Sequence, residues 1–590
     1  MSAPQVAQTP PVRLAENRRE SGSRTSSLVP RILTLLVLAA SALGLLSVPV
    51  NVYDDSLFLL GARLVASGKT PYIDFYTHYG PLGYTILAFL LRLVGNPGLA
   101  LRVGEVLLLT GMTLLLHLLF RSLHLESPRR EYPVPFLVLA LSFLALYAAF
   151  IGFAFATGSV VLFLLARSER GLSATLLYGA AGAALAVGVL TRPVFGAYCA
   201  GAVFLLEIVC RSRSEESRSL LVTPAVFFGA AAGAVLVLWL SLFRGIPWTL
   251  AFDATILRPA RLMGAGGERY LKPDFLTAAQ IGVLGIVRAI ATEAALVATT
   301  IAWTLAVSQG RTRRLAAGCV AVGGLLPLVL TVSEDHARDA GFLSLAFFAL
   351  ACTVVYSARS ALRESPLLRA SATFGLVAAA FGHYFWARAD RQHLLPMLTL
   401  SLLGAALLLE PLRPARRAAV IGLALFTWAS AVPSLSFPAA VFFNRGLAAS
   451  LWPWQCTLVR ADAKMAVAYA DSLAAPKSRF VAVGSTQALT SANPILLFLI
   501  SSRLPYTKWF QYDPGVQTSP AVQKEMEREL LASGSRSAVV WRTEKYLVDS
   551  VSPSHGPRSQ FDDFFDRLYP ITAAKFGDYE VRVRALAPTD

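Results

Sequence analysis

Long apolar runs alternate with short, Arg-rich polar turns along most of the chain. Runs of roughly 18 to 25 apolar residues cross a ~30 Å hydrocarbon core as helices. The pattern predicts thirteen spans, at 31–50, 98–120, 133–151, 152–166, 173–190, 193–210, 219–243, 279–307, 315–332, 340–357, 366–387, 393–411 and 416–434. The segment 81–95 is apolar as well, but it is short, starts with Pro81 and carries Arg92. Residues 1–30, rich in Ser, Pro and Arg, read as a disordered tail. Beyond 435 hydrophobicity falls and the pattern shortens. RFVAVG (479–484) and SAVVWR (537–542) predict buried strands, PAVQKEMERELLASG (520–534) a helix ended by Gly534, and the closing FGDYEVRVRA a strand. The expected fold is an all-α polytopic membrane protein over 31–434, followed by a small α/β domain over 435–590.

Composition removes the main competitor. Of 590 residues, 55% are hydrophobic and 15% charged, against about 25% charged in soluble domains. Mean hydropathy is +0.56, so a soluble multidomain enzyme is excluded. The net charge of +17, from 53 basic and 36 acidic residues, resembles a nucleic-acid footprint until it is sorted by loop. If 81–95 does not cross, the Arg-rich turns near 121–132, 167–172, 211–218, 310–314, 358–369 and 411–417 share one side with the N-terminal tail. That side is cytoplasmic by the positive-inside rule. The segment 81–95 is therefore expected as a re-entrant or interfacial helix on the outer face, where the C-terminal domain also lies. Nucleic acid is not an expected partner. Cys199, Cys210, Cys319, Cys352 and Cys456 show no metal or disulfide spacing.

The outer segments 51–80, 191–192, 244–278, 333–339 and 388–392 hold most of the mixed-charge chemistry. Asp54 and Asp55 follow directly on the first span, where partial desolvation favours use as a base or cation partner. They also suit the N-terminus of a helix over 55–66, and the two roles can coexist. Asp74, in PYIDF, is a second acid or a turn residue. Cations able to hold a phosphate are Arg192 in LTRPVFG, Arg258 and Arg261 in LRPAR, Arg269, Lys272, and Arg388 and Arg391 in ARADRQHLLP, which adds Asp390 and His393. Arg192 could instead pair with Asp54 or Asp55, and Arg388 and Arg391 could snorkel from an aqueous turn. The 244–278 loop reads as a lid or an interfacial helix pair. No P-loop, GxGxxG after a strand, HExxH or outer DxD occurs, so neither a metal nor another cofactor is expected.

The order of an acidic pair, Ala62-Arg63, Gly68, PYIDF and a Pro-Leu step into an apolar helix resembles the first-loop signature of the GT-C superfamily of glycosyltransferases. It is most similar to the bacterial branch related to protein O-mannosyltransferases and lipid A aminoarabinose transferases (glycosyltransferase family 39). The resemblance implies sugar transfer from a polyprenyl-phosphate donor to an outer-face acceptor, in the inner membrane of a bacterium. The first acid of the family's Asp-Glu pair is its proposed base, a role that falls here on Asp54, with Asp55 as its neighbour. The family's His-Pro-Pro-Leu step appears as His78-Tyr79-Gly80-Pro81-Leu82, with Gly and an extra residue in place of the first Pro. A transporter or flippase of lipid-linked glycans, and a non-catalytic envelope scaffold, are the competing expectations.

Overall fold

The computed structural model describes residues 16–47, 50, 54–123, 133–145, 149–210, 217–258, 366–387, 391–408, 461–484, 494–511, 517, 519–542 and 559–585. The expected spans 279–307, 315–332, 340–357 and 416–434 lie outside the described residues, as do Arg261, Arg269, Lys272, Arg388, Asp390 and Cys456. The described structure is mostly helical. Its apolar half comprises α1 (Glu16–Ser47), α2 (Asp54–Ala66), α3 (Pro81–Val94), α4 (Pro97–Ser122), α5 (Val134–Ala145), α6 (Phe150–Ser168), α7 (Gly171–Thr191), α8 (Pro193–Cys210), α9 (Ser217–Leu242), α10 (Trp248–Phe252), α11 (Pro366–Ala387) and α12 (Arg391–Leu408). Among the described residues five stretches are helical, long and apolar enough to cross a membrane: Leu28–Leu46, Pro97–Ser122, Phe150–Ser168, Gly171–Thr191 and Pro224–Leu242.

Two boundaries differ from the expectation. The first helix already begins at Glu16, inside the segment expected to be a disordered tail. A helix nucleated by an apolar span propagates at one hydrogen bond per residue fixed, and Glu, Arg and Ser oppose it little. Helix α6 starts at Phe150, ahead of the expected break at 151–152. Local chemistry sets other ends. Asn96 caps α4 by accepting from the Leu99 N–H at 3.1 Å, and Pro97 opens the first turn. Helix α3 starts at Pro81 and stops at Gly95, whose φ of +77° is the left-handed conformation that glycine adopts without strain. Where α7 crosses α9, a Cβ on Gly182 would lie 2.4 Å from the Phe227 carbonyl oxygen, so the small residue permits the close crossing.

After α13 (Ala461–Ser472) come β1 (Ala482–Gly484), α14 (Ile495–Ile500), α15 (Pro520–Ala532), β2 (Ser537–Trp541), α16 (Gln560–Leu568), β3 (Ile571–Phe576) and β4 (Tyr579–Val583). The four strands form one mixed sheet in the order β1-β2-β4-β3. Strands β1 and β2 run parallel, with Ala482 opposite Val539, whereas β4 is antiparallel to both β2 and β3. The closing segment expected as one strand includes a hairpin turn, with Gly577 at φ +57° between β3 and β4. The described core falls into two clusters. One lies among α1, α4 to α9, α11 and α12. The other joins α2, α3 and the loop between them to the C-terminal sheet and its helices. That second core brings the first loop and the C-terminal unit together.

Candidate active site

Helix α2 begins with Asp54 and Asp55, and the two carboxylates meet different surroundings. Asp55 is buried, and its Oδ2 accepts a hydrogen bond from Arg102 Nη2 at 2.6 Å. Arg102 Nη1 donates to both oxygens of Glu105 at 2.8 Å. Arg102 and Glu105 stand three residues apart on α4 and therefore share one face. Two carboxylates thus enclose one guanidinium, each of the three at most 3% exposed. Charge buried in this way is costly unless it is paired, and the pairing ties the first turn of α2 to α4. Successive helical residues point about 100° apart, so Asp54, half-buried, faces a different direction from Asp55.

One turn further along α2, Phe58 packs edge-on against Tyr79, with ring centroids 4.6 Å apart. The Arg192 guanidinium lies 4.2 Å from the centre of the Tyr79 ring, a geometry in which the ring face attracts the cation. Arg192 occupies the junction of α7 and α8. Gly80 explains why Tyr79 reaches it. The Gly80 N–H donates to the Thr191 carbonyl at 2.9 Å, and a Cβ at that position would lie 2.0 Å from the Leu190 carbonyl oxygen. Proline has no N–H and carries a Cβ, so it could do neither. Glycine at this position therefore has a packing reason in this chain.

The loop is held in shape from within. Tyr72 adopts φ +67°, a strained conformation for a bulky residue, while its N–H donates to the Phe75 carbonyl at 2.7 Å. Its hydroxyl donates to the Tyr79 carbonyl at 2.6 Å. Burial, helped by Tyr84, raises the Tyr72 phenol well above its ordinary pKa, so it remains a donor. Asp74 folds back on its own turn, accepting from the Thr70 N–H at 2.7 Å with Lys69 at 3.5 Å.

A second cation arrives where α10 continues into a π-helical turn, Asp253–Leu257. Such turns are frequent at functional sites. Arg258 Nε donates to Asp253 Oδ2 at 2.6 Å, and the guanidinium lies 5.7 Å from the Tyr76 ring centre and 5.6 Å from that of Trp509. Trp509 belongs to the C-terminal unit, so three separate segments meet here. The same contact continues in a hydrogen bond from the Tyr76 N–H to the Lys508 carbonyl at 2.8 Å, stacking of Phe75 on Phe510 at 5.9 Å, and a hydrogen bond between Gln511 Nε2 and His78 Nδ1. On the far edge Arg63 donates to the carbonyls of Leu499, Ser501 and Arg503 at 3.0, 2.7 and 3.1 Å. Burial lowers the Arg63 pKa from its very high ordinary value, and the three carbonyls take its protons as hydrogen bonds.

The structure thus gathers Asp54, Asp55, His78, Arg192 and Arg258 about the loop between α2 and α3, with Asp74 on a turn at its edge. The backbones of Arg391 and His393 start α12. Arg102 and Glu105 escaped the sequence reading, although ionisable residues inside an apolar span are a signal in themselves. Tyr76 and Gln511 carried no such signal. Among the described residues no three His, Cys, Asp or Glu side chains gather in the manner of a metal site.

No protein-family model and no curated protein matches the chain. Several solved structures are similar to it at low sequence identity. The oligosaccharyltransferase of Archaeoglobus fulgidus in its apo form is 12% identical, covers 86% of this chain and 69% of its own, and has a TM-score of 0.46. The same enzyme tethered to an acceptor peptide containing the NVT sequon gives 12%, 86%, 69% and 0.47. ArnT from Cupriavidus metallidurans in the apo state is 14% identical, with 94% of this chain and 97% of that chain covered and a TM-score of 0.38.

Proposed function

We propose that the protein is an integral-membrane glycosyltransferase of GT-C type, moving a sugar from a polyprenyl-phosphate donor to a hydroxyl-bearing acceptor on the outer face of a bacterial inner membrane. The observation that carries this reading is the wall on which Asp54 opens α2, Phe58 of the same helix packs on Tyr79, and Tyr79 carries Arg192. A carboxylate able to take a proton and a cation able to hold a phosphate thereby border one packed wall, the first from α2 and the second from the α7–α8 junction. The chemistry requires both. Attack on the anomeric carbon passes through an oxocarbenium-like state, and one carboxylate removes the acceptor proton as the bond to the sugar forms. The departing phosphate needs cations with fixed N–H donors, which arginine supplies.

Asp54 is the base in this account, and transfer proceeds with inversion. Asp55 holds the base in place through Arg102. Arg192 and Arg258 bind the phosphate, together with Arg261, Arg388 and Arg391 and with His78 and His393 beside them. Asp74 shapes the loop that carries them. The C-terminal unit lies on the outer face, where acceptors arrive. Membranes containing the Asp54→Asn variant, supplied with radiolabelled polyprenyl-phosphate sugars, test the reading. Transfer should fall at least about a hundredfold, and undiminished transfer would remove Asp54 from the role of base.

A further inference from the structure

Gln511 is a fully buried amide of the C-terminal unit that reaches the first outer loop. Its backbone carbonyl accepts from Gln517 Nε2, and its own Nε2 meets His78 Nδ1. An amide nitrogen only donates, so Nδ1 accepts, and a neutral imidazole then carries its proton on Nε2. The His78 ring lies 4.3 Å from the Tyr79 ring, tilted by 32°, and Tyr79 is the ring that carries Arg192. An imidazole N–H and a guanidinium are therefore presented from one aromatic step. With the amide turned round, Nε2 would become an acceptor and repel a phosphate oxygen.

We propose that Gln511 is a positioning residue that holds His78 in its Nε2–H tautomer, so that His78 donates to the lipid phosphate beside Arg192. The proposal rests on the transferase reading above. It makes the C-terminal unit a working part of a site that the first loop carries, since the group fixing the imidazole comes from more than 400 residues away in sequence.

The test uses the full chain in lipid nanodiscs with ¹⁵N-labelled histidine, at about pH 8.5 where imidazoles are neutral. His78 is assigned by the resonance missing from a His78→Asn sample. The expected spectrum has a protonated Nε2 and an unprotonated Nδ1. Gln511→Leu should give mixed tautomers, and Gln511→Glu, whose carboxylate only accepts, should move the proton to Nδ1. On polyprenyl-phosphate sugars both variants should lose about ten- to a hundredfold in kcat with little change in KM, because the hydrogen bond strengthens as the departing phosphate gains charge. A protonated Nδ1 in the parent protein, or an unchanged spectrum in Gln511→Leu, would overturn the proposal. Should the parent protein consume no donor, the transferase reading fails on its own, and the spectra still decide whether Gln511 sets the tautomer.

Discussion

Two charged clusters border helix α2 and are built in opposite ways. Around Arg102 the partners are two carboxylates, and all three groups are buried. The Arg192 guanidinium lies over the Tyr79 ring, while Arg258 lies over the rings of Tyr76 and Trp509, pairs with Asp253 at 2.6 Å and keeps 31% of its side chain exposed. The first cluster spends its charge on holding two helices together. The second sets its cations on aromatic faces and leaves Arg258 partly exposed where three segments meet. Under the proposed function the adjacent residues Asp54 and Asp55 serve chemistry and scaffold separately.

That contrast breaks most visibly at its closed end. Arg102→Leu leaves two buried carboxylates facing each other and should cost about 3–5 kcal/mol, measured by thermal unfolding in detergent. Adding Asp55→Asn and Glu105→Gln to the same chain should recover most of the loss, since no uncompensated charge then remains. At the open end, Arg258→Gln should cost no more than about 1 kcal/mol of stability, because its ion pair with Asp253 is partly exposed and screened. It should weaken binding of polyprenyl phosphate about ten- to a hundredfold, the worth of one hydrogen bond to a charged group. Between the two lies the seam with the C-terminal unit. Arg63→Met removes the donor from three carbonyls and should cost about 1–2 kcal/mol, read as faster limited proteolysis of the segment 494–511.

The smallest effect is expected far from both clusters. Burial raises the Glu580 pKa, but the hydrogen bond and charge of Arg542, with Lys575 and Arg582, outweigh it and hold the carboxyl below its ordinary value. A depressed pKa contributes stability that is present above the ordinary carboxylate value and is lost as pH falls through the folded one. The C-terminal unit should therefore melt earlier as pH drops below about 4, and Glu580→Gln should flatten that acid limb. The shift should be modest, because Lys575 is 68% exposed and screened by water. Trp541 fluorescence, beside Tyr579 in the sheet, reports the transition.

Much of the helical layout was legible because its determinants are local. Pro81 and Pro520 open helices, Gly95 and Gly534 follow their ends at positive φ, and apolar runs fill the lengths between. The strands were legible as segments, but the sheet was not. Parallel pairing of 482–484 with 539–541 joins residues more than fifty positions apart, and nothing in either segment names the other. The site divided along the same line. Asp54, Asp55, Arg192 and Arg258 stood out because charge is expensive beside apolar spans. Gly80 looked like a departure from a motif until the Leu190 and Thr191 carbonyls were found against it. Gln511 and Trp509 could not be read at all, since an ordinary amide and an ordinary ring acquire meaning only when the C-terminal unit folds onto the loop.

The division of labour between the two adjacent acids is the central claim, and one side-by-side measurement tests it. Asp54→Asn and Asp55→Asn are prepared in membranes at equal protein amount, and transfer from a radiolabelled polyprenyl-phosphate sugar is followed together with the melting temperature. Asp54→Asn should lose at least about a hundredfold in rate while melting like the parent, whereas Asp55→Asn should melt earlier because Arg102 loses a charged partner. Full transfer by Asp54→Asn, or a melting loss confined to that variant, would contradict the account.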